Sequence, residues 1–532
     1  MRVAFKYWFM LVVCGISFAG AEAQCPVRPD VGTVVQDPLS LQSKNGVLNA
    51  QLTMRHSVDT AGFTHYCFNY ATSAGDVESP TLRLNPGDTL LLGLQNRIVS
   101  GGDLKAMPTM EHMPAASGPV CGDGGPMTID STNIHFHGLN IPPICHQDDV
   151  ITTLLQPGKP MFQFNIQIPQ NEPPGLYWYH PHVHGFTEFQ VNGGASGALI
   201  VEGMEKVRPE VAGLKERVFI VRQQYLVPWV PGPYELTLNY QVTRFPSGAP
   251  PIIKMNPGEK QFWRVANATI QDFMPLQVQV DGVAQPLEVI AMDGYPLHKP
   301  TIQKTILIPP AGRAEFIVQA PTTGQSAIFI TNAYSTGPTG NPDLAQRLAT
   351  IDFSGKSAQT PVAKTVPTAA TISKEFSPEN IKFSGLSSAK PNTSRKLYFS
   401  EEFGGTNGPI QFYITVDGQK PQVFDPNEKP VITTKVGAVE DWTIENRALE
   451  THAFHIHQIH FLVTEVDGKP APRQELRDTI EIPYWQGPGF PYPSVKLRMD
   501  FRDPTIAGTF LFHCHILLHE DLGMMHKIQV NP

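Results

Sequence analysis

Near the C-terminus the chain reads LFHCHILLHEDLGMM, residues 511–525, which holds His513, Cys514, His515, His519, Met524 and Met525. Imidazole, thiolate and thioether donors at this density are the raw material of a metal site. Three other stretches carry a related signal. NIHFHGLN contributes His135 and His137, WYHPHVHG contributes His180, His182 and His184, and THAFHIHQIHF contributes His452, His455, His457 and His460. Twelve of the 18 histidines thus fall in four clusters, and each cluster contains the spacing H-x-H. On a strand, residues i and i+2 project to one face about 6.5–7 Å apart, so such a pair can grip one metal ion or two neighbouring ones. A single pair is more often a hydrogen-bonded structural feature. Four pairs are not, because each buried imidazole left without a partner costs free energy.

Ligand type narrows the metal. Imidazoles alone suit zinc or copper, whereas one thiolate with two histidines and a methionine is the blue-copper set. Closed structural zinc sites usually use CxxC spacing, which this sequence lacks. Cys514, His519 and Met524 supply three of the four blue-copper donors. The fourth must be a histidine from elsewhere, and His452 is free once the H-x-H pairs are assigned. On a strand, Cys514 points to one face while His513 and His515 point to the other, which makes a short covalent path between two metal sites.

HFHG, WYHPH, HAFHIH and HCHILLHEDLGMM resemble the four copper motifs of the three-domain multicopper oxidases, which include laccases, bilirubin-oxidase-type enzymes and bacterial copper-efflux oxidases. All four occur in family order, and the resemblance runs along the whole mature chain. It implies four copper ions. A mononuclear type 1 (blue) copper would take His452, Cys514 and His519, with Met524 as weak axial ligand. A type 2 copper would take His135 and His455, and two type 3 coppers would share His137, His180, His182, His457, His513 and His515. The resemblance also implies acids near this trinuclear cluster that supply protons, matched here by Asp148 and Glu520. His184 and His460 match no ligand position and are expected to hydrogen-bond around the site. The implied activity is an oxidoreductase acting on diphenols or metal ions, with dioxygen as acceptor and water as product.

Such a site needs a rigid β scaffold, and the chain carries its signature. Short alternating runs such as PMFQFNIQI (160–168), KERVFIVRQQ (215–224) and RAEFIVQA (313–320) are bounded by Gly, Pro, Asn and Asp, as in β-sandwiches. An internal repeat is also present. LNPGDTLLLGLQNR, MNPGEKQFWRVANA and TKVGAVEDWTIENR each place Asn nine positions after Gly, at Gly87/Asn96, Gly258/Asn267 and Gly437/Asn446. The copies begin 171 and 179 residues apart, a domain-sized interval. From Asn446 the offsets +6, +9 and +11 reach His452, His455 and His457, while from Asn267 they reach Phe273, Leu276 and Val278. The middle copy keeps the frame and lacks the ligands. The expected fold is all-β, with three consecutive cupredoxin-like Greek-key β-sandwich domains. A leader covers 1–23 and a first domain 24–208 holds half of the trinuclear site. A copper-free structural domain spans 209–355, a Ser/Thr/Pro/Lys-rich linker 356–394, and a third domain 395–532 carries the blue copper and the other half.

The bulk numbers fit an exported enzyme. With 532 residues the chain is long enough for several cores, and 50 prolines with 44 glycines mark it as turn-rich. A net charge of −8 argues against nucleic acid as a partner. The first residues carry Arg2 and Lys6, an apolar run and Ala21-Glu22-Ala23, the pattern of a Sec-type signal peptide. No Arg-Arg pair points to a twin-arginine route, and no later segment is long and apolar enough to span a membrane. A periplasmic or secreted location follows, where Cys25, Cys67, Cys121 and Cys145 can form two disulfides in any of three connectivities. Cys514 is left without a partner.

The expected partners are dioxygen and a small-molecule or metal-ion reductant, for a protein acting as a monomer. Copper-efflux oxidases often carry a methionine-rich insertion near the blue copper. Here no methionine run precedes HCH, and Met107, Met110, Met113 and Met127 come nearest to a cluster. A laccase-like phenolic donor is therefore the first expectation, with Cu(I) or Fe(II) as the alternative. The choice lies in loops around 404–410 and 485–495. An axial thioether, compared with a non-ligating Leu or Phe, lowers the blue-copper potential. Redox titration of the blue absorption band should give a low-to-moderate potential, and Met524→Leu should raise it. An unchanged potential would remove Met524 from the ligand set.

Overall fold

The computed structural model describes residues 24–60, 62–99, 120–225, 234–243, 248–324, 326–355, 381–403 and 410–532. The expected leader, Met107, Met110 and Met113, most of the linker and nearly all of the 404–410 loop lie outside the described residues.

The Gly-to-Asn repeat forms the same strand three times, at Thr89–Asn96, Lys260–Ala268 and Ala438–Asn446. Each copy has the same two neighbours. One is parallel, at Val47–Val58, Lys215–Tyr225 and Thr393–Phe403. The other is antiparallel, at Phe162–Gln167, Arg313–Gln319 and Ser494–Phe501. A second sheet repeats as well. The strands Gly197–Val201, Gln346–Asp352 and Met525–Asn531 each pair antiparallel with Gly175–His180, Ala327–Thr331 and Gly508–Cys514 respectively. Those in turn pair antiparallel with His135–His137, Met274–Val280 and His452–Ile456. Two facing sheets whose order crosses the chain sequence, repeated three times, are Greek-key sandwiches. Helix is confined to short pieces such as Thr187–Asn192 and Leu517–Asp521.

The repeated asparagine explains why the frame persists. Asn96 donates through Nδ2 to the carbonyls of Asp130 and Leu155 at 2.7 and 2.9 Å, and its Oδ1 accepts from Ile98 N at 3.0 Å. Asn267 does the same with Asp272 O, Ile308 O and Thr269 N. Asn446 does it with Glu450 O, Ile482 O and Ala448 N. A buried amide with donors and an acceptor can thus tie the strand's exit to the facing sheet, leaving no buried carbonyl orphaned.

In the middle sandwich Phe273, Leu276 and Val278 are fully buried where the third sandwich has His452, His455 and His457. Leu276 and Val278 pack with Trp263 and Phe316 of their own core, while Phe273 packs into the core of the third sandwich. The disulfides join Cys25 to Cys67 and Cys121 to Cys145, and Cys514 is a buried free thiol. No described helix is long and apolar enough to cross a membrane.

Asn267→Ala would strand two buried carbonyls and one N–H in a part of the fold without clustered histidines. It should lower stability by about 2–4 kcal/mol in denaturant unfolding while leaving copper content unchanged. A loss below about 0.5 kcal/mol would show that the tie is dispensable.

Candidate metal centre

Within each of the first and third sandwiches the ladder register sets histidines opposite one another. His180 lies opposite His135, and His455 lies opposite His513. Only the His135/His137 pair is wholly on a strand, since His182, His457 and His515 fall just past strand ends. The four pairs still hold their rings 5.2–6.0 Å apart between centroids. Donor atoms of His137, His180 and His515 lie within 4.8 Å of one another, as do those of His182, His457 and His513, and those of His135, His137 and His455. Each group of three mixes histidines from both sandwiches, so the site exists only at their seam.

Five of the eight rings are held at one nitrogen by an acceptor, whereas neither nitrogen of His515 and not Nδ1 of His457 has a hydrogen-bond partner among the described residues. His135 Nδ1 lies 3.0 Å from both Asp148 oxygens, His180 Nδ1 is 2.8 Å from Pro181 O, and His455 Nδ1 is 2.8 Å from Asp478 O. His513 Nδ1 is 3.0 Å from Cys514 O, and His137 Nε2 is 3.3 Å from Asp478 Oδ1. The opposite nitrogens, His135 Nε2, His137 Nδ1, His180 Nε2 and His455 Nε2, are buried with no hydrogen-bond partner. His457 Nε2 and His513 Nε2 face each other at 3.2 Å. Buried nitrogens that converge without donors between them fit a metal ion. Burial, reinforced by neighbouring imidazoles, holds His135, His137, His455, His457 and His515 well below their ordinary pKa. The same causes bring His180 down to about 3, and burial brings His182 to about 4. Neutral rings offer lone pairs, as a transition metal requires.

A second constellation lies inside the third sandwich. His452, Cys514 and His519 donor atoms fall within 4.8 Å of one another, with Cys514 Sγ 3.6 Å from His452 Nδ1 and the two imidazole Nδ1 atoms 3.4 Å apart. Met524 shares the buried core around Cys514, whereas Met525 packs with Val150, Phe424 and Leu511. Burial pushes the Cys514 thiol up, so a thiolate here needs a cation to compensate it. Thiolate, two imidazoles and a nearby thioether suit copper.

Acids surround both sites. Asp148 also accepts from Phe136 N at 3.0 Å and Gln458 Nε2 at 2.5 Å. Gln458 sits in the left-handed region, φ 59°, a strained position next to His457. Glu520 places its oxygens 3.5 Å from His182 Nε2 and 3.1 Å from His513 Nδ1. Burial raises its carboxyl, but those imidazoles outweigh burial and hold it below the usual range. Asp521 accepts from Thr187 N and Glu188 N, which ties the HED turn to the first sandwich's helix. His460 and His184 belong to none of the groups. His460 Nε2 lies 2.7 Å from Asp293 O, and His184 packs edge-on against Phe424. Sequence reading missed Asp478, and it missed Glu401 and Glu450, which stand 3.4 and 3.6 Å from the outer nitrogens of His452 and His519. Nothing local marks these three acids, since each lies in or beside a strand and belongs to no motif.

Three sandwiches with clustered, unprotonated imidazoles and a buried thiol define a copper protein of the cupredoxin-based class. Family models described as multicopper oxidase match residues 127–206, 218–355 and 404–532. The chain belongs to the multicopper oxidase family. It is 25% identical over 474 residues to a multicopper oxidase of Staphylococcus haemolyticus, covering 86% of this chain and 83% of that protein. It is 22% identical over 512 residues to a laccase of Bacillus stratosphericus, covering 86% and 90%. Among solved structures, the multicopper oxidase of Campylobacter jejuni, described as a metallo-oxidase, superposes with a TM-score of 0.68 at 23% identity, covering 97% of this chain and 99% of that one.

Asp148→Ala removes the only described anchor of His135 Nδ1. It should weaken retention of the copper bound through His135 by about 10–100-fold against a chelator, with the blue band intact. Wild-type retention would show that His135 is oriented by something else.

Proposed function

We propose that the protein is an exported oxidase that takes electrons one at a time at His452, Cys514 and His519 and delivers them to dioxygen at the eight-histidine seam. Copper ions, four under the assignment made from sequence, would supply the electron storage that matches single-electron donors to reduction of dioxygen to water. The donor groupings support type 2 copper at His135 and His455. They support one type 3 copper at His137, His180 and His515, and the other at His182, His457 and His513. Cys514 is bonded through the backbone to both His513 and His515, so the thiol and the seam are joined by a few covalent bonds. Glu520, ionised beside His182 and His513, is positioned to take up protons and pass them to the seam. Asp148 orients His135 and neighbours the same space. Two disulfides suit an oxidising compartment and therefore export.

The choice of reductant turns on one observation. Glu401 and Glu450 stand against the outward nitrogens of both imidazoles beside Cys514, and among the described residues neither has a Lys or Arg partner. Burial, reinforced by Glu401, pushes the Glu450 carboxyl up to about 8, so the pair retains a proton at neutral pH. A cation would replace that proton and bind one hydrogen bond away from the copper ligands. This favours a metal-ion donor, Fe(II) or Cu(I), over the phenolic donor expected from sequence. The phenolic reading keeps one specific support. The loop that follows Trp485, whose N–H bonds Ala448 O at 2.8 Å, exposes Phe490 and Tyr492 near the His452 strand.

Dioxygen uptake by the copper-loaded protein should be measured with Fe(II), Cu(I) and 2,6-dimethoxyphenol side by side. In a Glu401→Gln/Glu450→Gln variant, kcat/KM for the preferred metal ion should fall about 10–100-fold while that for the phenol changes less than about threefold. Equal losses for all donors would reject a cation-binding role.

A further inference from the structure

Among the described residues the middle sandwich supplies no donor atom to either constellation, yet one of its side chains reaches the seam through a single intermediate. Arg313 opens the strand Arg313–Gln319 and is completely buried. Its Nη1 and Nη2 donate to the two Asp478 oxygens at 2.7 and 2.5 Å, a bidentate fork between the middle and third sandwiches. Its Nε donates to Leu176 O of the first sandwich at 3.2 Å. The two remaining guanidinium hydrogens go to Ala311 O at 3.1 Å and Asp293 O at 2.8 Å. All five donors of the guanidinium are used, and they touch all three sandwiches. Asp293 supports the arrangement from below, since its carboxylate accepts from Arg313 N at 2.8 Å and Arg477 Nε at 2.6 Å.

Asp478 turns its other contacts toward the seam. Its Oδ1 lies 3.3 Å from His137 Nε2, and its main-chain oxygen lies 2.8 Å from His455 Nδ1. Thr479 Oγ1 donates to the same Oδ1 at 2.9 Å. One residue thus holds a histidine from the first sandwich and a histidine from the third, and both belong to the group formed with His135. The HFHG motif is shaped to this contact. Gly138 has φ +88°, and a Cβ there would come within 2.5 Å of Arg313 Nη2 and 2.6 Å of Asp478 Oδ2.

We propose that Arg313 is a positioning residue for the seam. By fixing the Asp478 carboxylate and the backbone behind it, Arg313 sets the rotation of His137 and His455 and so the spacing between their free nitrogens. The inference rests on reading those two histidines as copper ligands. A fork onto Asp478 is worth more than a point charge here, because a planar guanidinium fixes the carboxylate plane and an ammonium does not.

The test compares Arg313→Met, Arg313→Lys and Asp478→Asn with a control, Arg217→Met, in the copper-loaded protein. Arg217 also bridges the first and middle sandwiches, to Asp37 at 3.0 Å and Val35 O at 2.9 Å, and touches no histidine. The readouts are the blue absorption band, the electron paramagnetic resonance spectrum of the non-blue copper, and the rate at which a chelator strips that copper. Arg313→Met and Asp478→Asn should keep the blue band, shift the non-blue spectrum and lose that copper about 10–100-fold more readily. Arg313→Lys should recover only part of the retention, and Arg217→Met should match wild type. A wild-type non-blue spectrum and retention in Arg313→Met and Asp478→Asn would overturn the inference. So would loss of blue and non-blue copper together in Arg313→Lys as well as Arg313→Met, which would mark a folding role alone. Wild-type protein without a non-blue signal would overturn the copper assignment, and this inference with it.

Discussion

Eight imidazoles buried at one seam have to be oriented, and five of them are pinned at one nitrogen by an acceptor and face their neighbours with the other. That constraint organises the rest of the structure. Burial, reinforced by neighbouring imidazoles, holds His135, His137, His455, His457 and His515 well below their ordinary pKa, and a neutral ring's single N–H favours an acceptor. The acceptors are Asp148, Pro181 O, Asp478 and its carbonyl, and Cys514 O. Four of these contacts stay within one sandwich and only His137–Asp478 crosses, but every donor group of three at the seam draws on both, so the two must dock before the site exists. Docking is reinforced around the same residues, as where Asp521 accepts from the helix that begins at Thr187.

The three sandwiches show one frame used for different purposes. Asn96, Asn267 and Asn446 make the same three hydrogen bonds, so the strand that precedes the ligand segment leaves its sheet in the same way each time. The strand beyond it differs. In the first and third sandwiches it turns imidazoles to the seam. In the middle one Leu276 and Val278 turn inward to an ordinary core. The middle sandwich is nevertheless more than a spacer, because its Asp293 and Arg313 form the ionic floor beneath Asp478. The strand that carries Arg313 also carries Glu315, which pairs with Arg264 and accepts from Leu176 N. Charged groups buried this deeply are tolerable only as a fully paired network.

Electrostatics separates the two ends of the enzyme. At the seam the imidazoles that Glu520 faces outweigh burial and hold its carboxyl below the usual range, whereas beside His519 burial, reinforced by Glu401, pushes the Glu450 carboxyl up to about 8. Opposite environments for the same side-chain type thus leave a carboxylate at the seam and a protonated carboxyl beside His519.

By itself the sequence determined the fold class, the family's copper motifs and the placement of the clustered histidines on the first and third repeats. It could do so because those features are local. H-x-H, HCH and the Gly-to-Asn spacing are each written within a few residues, and strand alternation turns them directly into geometry. Tertiary structure alone brought the histidines into groups of three across the two sandwiches, because that depends on how two sandwiches meet, and three of the four pairs run past their strand ends. It alone revealed Asp478, Arg313, Glu401 and Glu450. The Arg313–Asp478 fork spans 165 residues and the His137–Asp478 contact 341. No short-range pattern can encode a contact made only when three separately folded cores pack against one another.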